Sequence, residues 1–224
     1  MIQAWQYRLL NNKPIVRYEY RSGTYNETLA AGDYRITLIG AGGGGIGVQA
    51  RTTSFSWVQG GVGGTLQVEV SLATDTEITI NVGAGQFPKT GSYAGSGIEY
   101  TAHDGGNTPI TGIPNVILKA NGGTGAKFIS AGTGGARTVG VMGSTEVSGV
   151  KRVLINNPNE IKSKGGYFLL PGTTREPTGC INTNYPKNTT FGRGGDAGWR
   201  PSTSAYGMIV GIISSDGYVL IETI

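Results

Sequence analysis

An all-β fold, an antiparallel sandwich interrupted by glycine-rich insertions, is the class that this sequence predicts. Three observations carry that prediction. Short segments in which apolar and polar residues alternate recur from residue 15 onward. Glycine supplies 40 of the 224 residues, more than twice its ordinary share of about 7%, and it comes in blocks. No stretch joins a helical apolar period to good helix formers, so no helix is expected.

The stretch YRITLIGAGGGGIGV, residues 34–48, sets the pattern. Its first six residues are β-branched and aromatic enough to favour a strand. Gly40, Gly42, Gly43, Gly44, Gly45 and Gly47 follow. Glycine buries no side chain and loses more backbone entropy on folding than any other residue. Such a density therefore implies backbones that approach closely, as in a polyproline II-like helix of three residues per turn. A helix of that kind has no internal hydrogen bonds and must bundle with others. The chain supplies them at residues 60–64, 83–85, 105–106, 122–125, 132–135 and 192–198.

In chain order, residues 15–21 and 24–29 read as strands joined at Ser22-Gly23, and Ala31-Gly32-Asp33 turns into the strand at 34–39. Residues 49–59 read as a polar loop carrying Phe55 and Trp57. The cleanest alternations, at 65–70 and 76–82, read as adjacent antiparallel strands with one buried face. Residues 83–114 lose the pattern, and strands return at 115–120, 150–155 and 167–170. The longest irregular stretch is 171–204. Residues 206–213 and 218–224 read as a hairpin closed by Asp216-Gly217. About eight strands with long insertions make a sandwich. We assign residues 15–224 to one glycine-rich β-sandwich domain and residues 1–14 to a short N-terminal contact segment.

Composition narrows function mostly by exclusion. A single cysteine, Cys180, forms no internal disulfide and no multi-cysteine metal site. No apolar run reaches the roughly 20 residues of a membrane helix, and MIQAWQYRLLNNK lacks the pattern of a secretory signal. Synthesis in a cytoplasm is expected. The charge of +4 is scattered rather than gathered in a basic block, so no nucleic-acid partner is expected. Gly40-x-Gly42-x-x-Gly45 matches the dinucleotide fingerprint, but no helix or suitably spaced acid follows it. Residues 122–128 lack the Gly-Lys-Ser/Thr of a phosphate loop.

Catalytic groups are sparse. His103 is the only histidine, in a turn-like HDGG context, and Glu99, Asp104, Glu160, Glu176 and Asp196 share no spacing that would pair carboxylates for glycan hydrolysis. The Asn26 and Asn188 sequons read as chance matches. We expect no enzyme activity, cofactor or metal. The aromatic residues in irregular stretches are more informative, because Trp, Tyr and Arg are the favoured anchors of interfaces. Trp57, Tyr93, Tyr100, Tyr185, Trp199 and Arg200 are the candidate binding residues, in stretches 49–59, 86–114 and 171–204. The competing reading makes them plugs that cover flat glycine surface. Trp5 and Tyr7 fit an N-terminal contact or trimer surface.

The order of AGDYRITLIGAGGGG, GGVGG, ITINVGAG, KANGG and the closing DGYVLI resembles the glycine-rich domain of phage and bacterial surface proteins. The arrangement is similar to the glycine-rich segment of anaplastic lymphoma kinase receptors. There a jelly-roll sandwich like that of tumour necrosis factor carries a bundle of polyglycine II helices. The resemblance spans residue 15 to the end, and it implies a homotrimer on a virion, at a tail fibre or surface appendage. It implies a receptor-binding adhesin that recognises a host cell-surface glycan or outer-membrane protein alongside other virion or fibre proteins. A structural virion component, such as a decoration, head-fibre or fibre-assembly protein, is the alternative. A polysaccharide-cleaving enzyme comes third.

Overall fold

The structure is a computed structural model. It describes the backbone of residues 5–8, 14–50, 54–93, 97–131, 134–156, 168–169, 190–191, 194, 196–200, 208–212 and 214–224. Side chains are described for residues 18–48, 58–90, 97–131, 135–156, 194 and 214–224. All regular structure among the described residues is strand, as expected. The strands, numbered along the chain, form two large sheets and four small ones.

The first large sheet runs in the order β1 (Trp5–Arg8), β2 (Pro14–Tyr20), β21 (Tyr218–Thr223), β4 (Gly32–Ile39), β7 (Thr65–Leu72) and β16 (Arg152–Asn156). The second runs β15 (Thr145–Ser148), β12 (Ile117–Ala120), β11 (Thr108–Thr111), β8 (Thr76–Val82) and β3 (Gly23–Leu29). Both are antiparallel throughout and pack face to face as a sandwich. Tyr20, Tyr34, Ile36, Leu38, Leu66, Val68, Val70, Val219 and Ile221 of the first sheet meet Leu29, Ile78, Ile80, Val82, Ile110 and Leu118 of the second in one buried core. β7 and β8 show the alternation that a half-buried pleat demands, whereas β21 is buried on both faces from Tyr218 to Ile221.

Register in the first sheet is also marked by charge. Arg17, Glu222, Arg35, Glu69 and Arg152 lie opposite one another across five neighbouring strands, alternating in sign. Arg35 Nη2 donates to Glu69 Oε1 at 2.9 Å. Opposite charges on facing residues stabilise a pair, whereas a one-residue slip would turn every side chain to the other face.

The remaining strands lie beyond the sandwich. One three-stranded sheet is β6 (Ser54–Val58), β5 (Ile46–Ala50) and β9 (Lys89–Tyr93), in which β5 and β9 are parallel. Another is β10 (Glu99–Thr101), β13 (Lys127–Ala131) and β14 (Gly134–Thr138). β17 (Phe168–Leu169) pairs with β18 (Thr190–Phe191), and β19 (Asp196–Arg200) pairs with β20 (Met208–Ile212) against the β5 sheet. The two three-stranded sheets enclose a second core of Ile46, Val48, Val58, Ala102, Ala126 and Phe128.

Several expectations need correction. The clean strands β7 and β8 are not neighbours in one sheet. The chain between them passes from one sheet to the other, so they lie in opposite layers of the sandwich, where β7 meets β12 and β8 meets β21 across the core. Alternation reports one buried face, which side-by-side and face-to-face partners satisfy equally. The stretch 49–59 is no loop, because most of it belongs to the β5–β6 hairpin. β9, β10, β11, β18 and β19 fall in stretches that read as irregular. The 21 strands among the described residues far exceed about eight, because many are too short for alternation to show. The expected terminal hairpin does not form: β20 pairs with β19, and β21 pairs with β2 and β4. The N-terminal contact segment contributes β1, an edge strand on β2.

Glycine segments join sandwich to distal strands. Residues 40–45 lead from β4 to β5, 59–64 from β6 to β7, and 83–88 from β8 to β9. Residues 102–107 lead from β10 to β11, 121–126 from β12 to β13, and 139–144 from β14 to β15. Each of these crossings is six residues long. A seventh ends in residues 214–217 before β21. Their backbones bond to one another in steps of three. Gly40 and Gly43 donate to Gly64 and Gly61, Ala41 and Gly44 to Gly106 and His103, and Gly42 to Ser215, all at 2.9–3.0 Å. Five consecutive N–H groups thus rotate among three neighbours. Gly123 and Ala126 donate to Ala41 and Gly44; Gly140 and Gly143 donate to Gln59 and Val62. Crossings that run the same way are parallel and opposed ones antiparallel, without exception among these bonds.

Room, not conformation, requires these glycines. Among the described residues, positive φ occurs at Gly23, Gly32, Gly97, Gly112, Asn115 and Gly149, none of them in a crossing. A Cβ on Gly40, Gly43, Gly60, Gly61, Gly63, Gly122, Gly123 or Gly125 would lie under 3.0 Å from a neighbouring backbone carbonyl oxygen. Gly217 is the same case, closing on Thr108 and Ile39, which is why Asp216-Gly217 serves a crossing rather than a hairpin turn. Gly43→Val should therefore fail to fold to a soluble protein. Gly97→Ala, in open space but at a φ of 81°, should cost only about 1 kcal/mol. Thermal melts of both decide the matter: a Gly43→Val protein that melts like the parent overturns the close-approach account.

Candidate functional site

The distal lobe is where the candidate residues gather. Five of the six lie on its strands: Trp57 on β6, Tyr93 on β9, Tyr100 on β10, and Trp199 and Arg200 on β19. Tyr185 lies outside the described residues. The strand register sorts the five further. The outward crossings enter β5 and β9 at their first residues, so the far ends of these strands point away from the sandwich. Tyr93 is the last residue of β9, opposite Ala50 at the end of β5, and Trp199 and Arg200 end β19 opposite Ile209 and Met208. Trp57 instead pairs with Gly47, beside the crossings. The side chains of these four are outside the described set.

Tyr100 is half-buried and packs on the second core, its ring centroid 6.3 Å from that of Phe128 at a 45° tilt. That position is a packing role. Tyr93, Trp199 and Arg200 are the candidates at the distal strand ends.

Two of the groups weighed for catalysis, His103 and Asp104, lie in a crossing and accept hydrogen bonds within the bundle. The exposed His103 uses its carbonyl to accept the Gly44 N–H. Asp104 Oδ1 accepts the Gly125 N–H at 2.7 Å, Asn107 Oδ1 the Gly122 N–H at 2.9 Å, and Asp216 Oδ1 the Gly85 N–H at 2.7 Å. Asp216 Oδ2 also accepts the Ser22 hydroxyl. These side chains supply acceptors for backbone N–H groups of the crossings, each of which needs a partner. Sequence reasoning missed this role, although Asp-Gly at 104–105 and 216–217 was its available signal. Glu99 is exposed and accepts from Thr101. Cys180, Glu160 and Glu176 lie outside the described residues. Among the described residues, no group of three or more His, Cys, Asp or Glu is placed to hold a metal.

Electrostatics concentrate on the sandwich. Hydrogen bonds from Ser71 and Lys151 hold the Asp33 carboxyl below its usual range, and Lys119 and Asn121 do the same for Glu146. Burial pushes the Tyr20 hydroxyl above the ordinary tyrosine range, and the nearby Glu27 carboxylate adds to the shift.

No protein-family model matches this chain, and no curated protein matches it.

Two expected outcomes follow from this geometry. The N–H groups of residues 40–44 are all engaged and β5, not a helix, follows. A pyrophosphate would find no helix N-terminus there. Calorimetry with NAD or ATP should give no heat of binding, and micromolar affinity for either would overturn the argument. Asp33 and Glu146 have folded pKa values below their unfolded ones. Their contribution is present above the ordinary carboxylate range and is lost as pH falls through the folded values. Glu146→Gln should therefore lower the melting temperature slightly at neutral pH and flatten its decline in acid. Identical acid profiles for variant and parent would contradict this.

Proposed function

We propose that this chain is the non-enzymatic receptor-binding tip of a tail fibre on a phage or phage-like particle. The observation that carries the reading is the set of crossings, six of them six residues long, bonded to their neighbours in steps of three. In this reading the crossings are polyglycine II helices of two turns, about 19 Å long at roughly 3.1 Å per residue. They hold a recognition lobe away from a jelly-roll sandwich that joins the particle. A spacer made only of hydrogen-bonded backbone fixes the distal strands in position while presenting few side chains to select against. Variation can then concentrate at the distal strand ends.

Those ends carry Tyr93, Trp199 and Arg200, residue types suited to a host cell-surface glycan or an outer-membrane protein. The chain works as a homotrimer on the virion, beside other fibre proteins. Three weak sites on one surface exceed a single site's affinity by roughly 10² to 10⁴. Neither a cofactor nor a nucleic acid takes part. Tyr100 against Phe128 favours the second reading, a structural decoration, head-fibre or fibre-assembly protein whose aromatics only pack.

Cell binding and melting temperature, measured together for Trp57→Ala, Trp199→Ala and the double variant, test the first reading. Trp199→Ala should cost on the order of 2 kcal/mol per site with an unchanged melt. The Trp57→Ala loss should be smaller, because that position lies beside the crossings. If all three variants bind cells like the parent, the anchors are wrong. A parent that binds no host cell or glycan but decorates the shaft or head establishes the structural reading.

A further inference from the structure

The outer face of the second sandwich sheet carries a feature that the distal lobe does not explain. A groove of about 430 Å³ lies over β3 and β8, lined by Asn26, Glu27, Thr28, Glu77, Ile78 and Thr79. Its size falls within the range of small-molecule sites, about 300–1,000 Å³. The facing pairs are Asn26 with Thr79 and Thr28 with Glu77, and the Glu27–Ile78 pair lies between them. Asn26, Thr28 and Glu77 are exposed, whereas Ile78 turns into the core. β3 is the edge of its sheet, so the groove is open along one side.

The polar side chains are already positioned. Thr79 Oγ1 donates to Asn26 Oδ1 at 2.9 Å, and one step along the strands Thr24 Oγ1 donates to Asn81 Oδ1 at 2.7 Å. Because Asn26 accepts through its oxygen, its amide nitrogen is the donor left for a ligand, beside the hydroxyl of Thr28 and the acceptor-only carboxylate of Glu77. This set excludes much. The carboxylate repels phosphates, nucleic acids and acidic sugars. A metal lacks the ligands, since no group of three acidic, His or Cys residues is present among the described residues. An apolar peptide side chain would desolvate four polar groups without return. A ligand that donates two hydroxyls to a carboxylate and accepts from an amide meets every group at once.

We infer that this groove binds a neutral saccharide through a vicinal diol, with Glu77 and Asn26 as its principal contacts. The site is independent of the distal lobe and of the fibre-tip reading. A single sugar held by a few hydrogen bonds on an open face binds in the millimolar range.

The test uses the full chain, labelled with ¹⁵N, and four probes: the methyl glycosides of glucose, galactose, mannose and N-acetylglucosamine. At least one should shift the amides of Gly23–Leu29 and Thr76–Val82. Glu77→Gln and Asn26→Ala should each weaken that sugar about tenfold, the worth of one good hydrogen bond, with melting curves unchanged because both side chains are exposed. Trp199→Ala should leave the groove's affinity untouched. The inference is overturned if no probe shifts these amides, or if the shifts survive both groove variants. Shifts confined to the distal strands also overturn it, while leaving the fibre-tip reading standing.

Discussion

Close approach between backbones in the crossings is the constraint on which this structure depends. Gly40 to Gly44 distribute five successive N–H groups among three neighbours, and that is possible only where no Cβ intervenes. Six of the crossings share one length, six residues, which is two of the three-residue steps in which their bonds repeat. Inserting one residue in a single crossing would break its three-residue step against every neighbour and shift the strand that follows by one position.

The crossings contribute little hydrophobic burial of their own. Each glycine costs roughly 0.5–1 kcal/mol more backbone entropy than alanine, and each backbone hydrogen bond returns about 1 kcal/mol net. These effects nearly cancel, so the two cores must supply the driving force. Ile36, Leu38, Val68 and Ile80 close one end of the bundle, and Ile46, Val48 and Phe128 close the other. Asp104, Asn107 and Asp216 complete it by accepting N–H groups of the crossings. The bundle thus connects two cores that form for ordinary reasons.

This arrangement also decides where the candidate interface residues are placed. Tyr93 on β9 and Trp199 and Arg200 on β19 come from distant parts of the chain, and each lies at the distal end of its strand. Their identity as interface-prone residues was legible from type and context alone. Their grouping was not, since it depends on which strands the crossings deliver side by side. The groove on β3 and β8 was illegible for a related reason. Asn26 and Thr28 are unremarkable in sequence until Thr79 and Glu77 lie opposite them.

By itself the sequence determined the all-β class, the strands at β4, β7, β8 and β21, and the close approach of glycine backbones. Those conclusions rest on local physics: alternation selects a pleat, and a run of glycines has little reason to exist except to give room. Tertiary structure alone decided the partners. β7 and β8 carry the same one-faced pattern that neighbours in a sheet would, yet they lie in opposite sheets. Asp216-Gly217 has the local form of a hairpin turn, yet it lies extended in a crossing because Ile39 and Thr108 approach Gly217 from elsewhere in the chain. A residue's pattern records which of its faces is buried, and only the folded chain records what buries it.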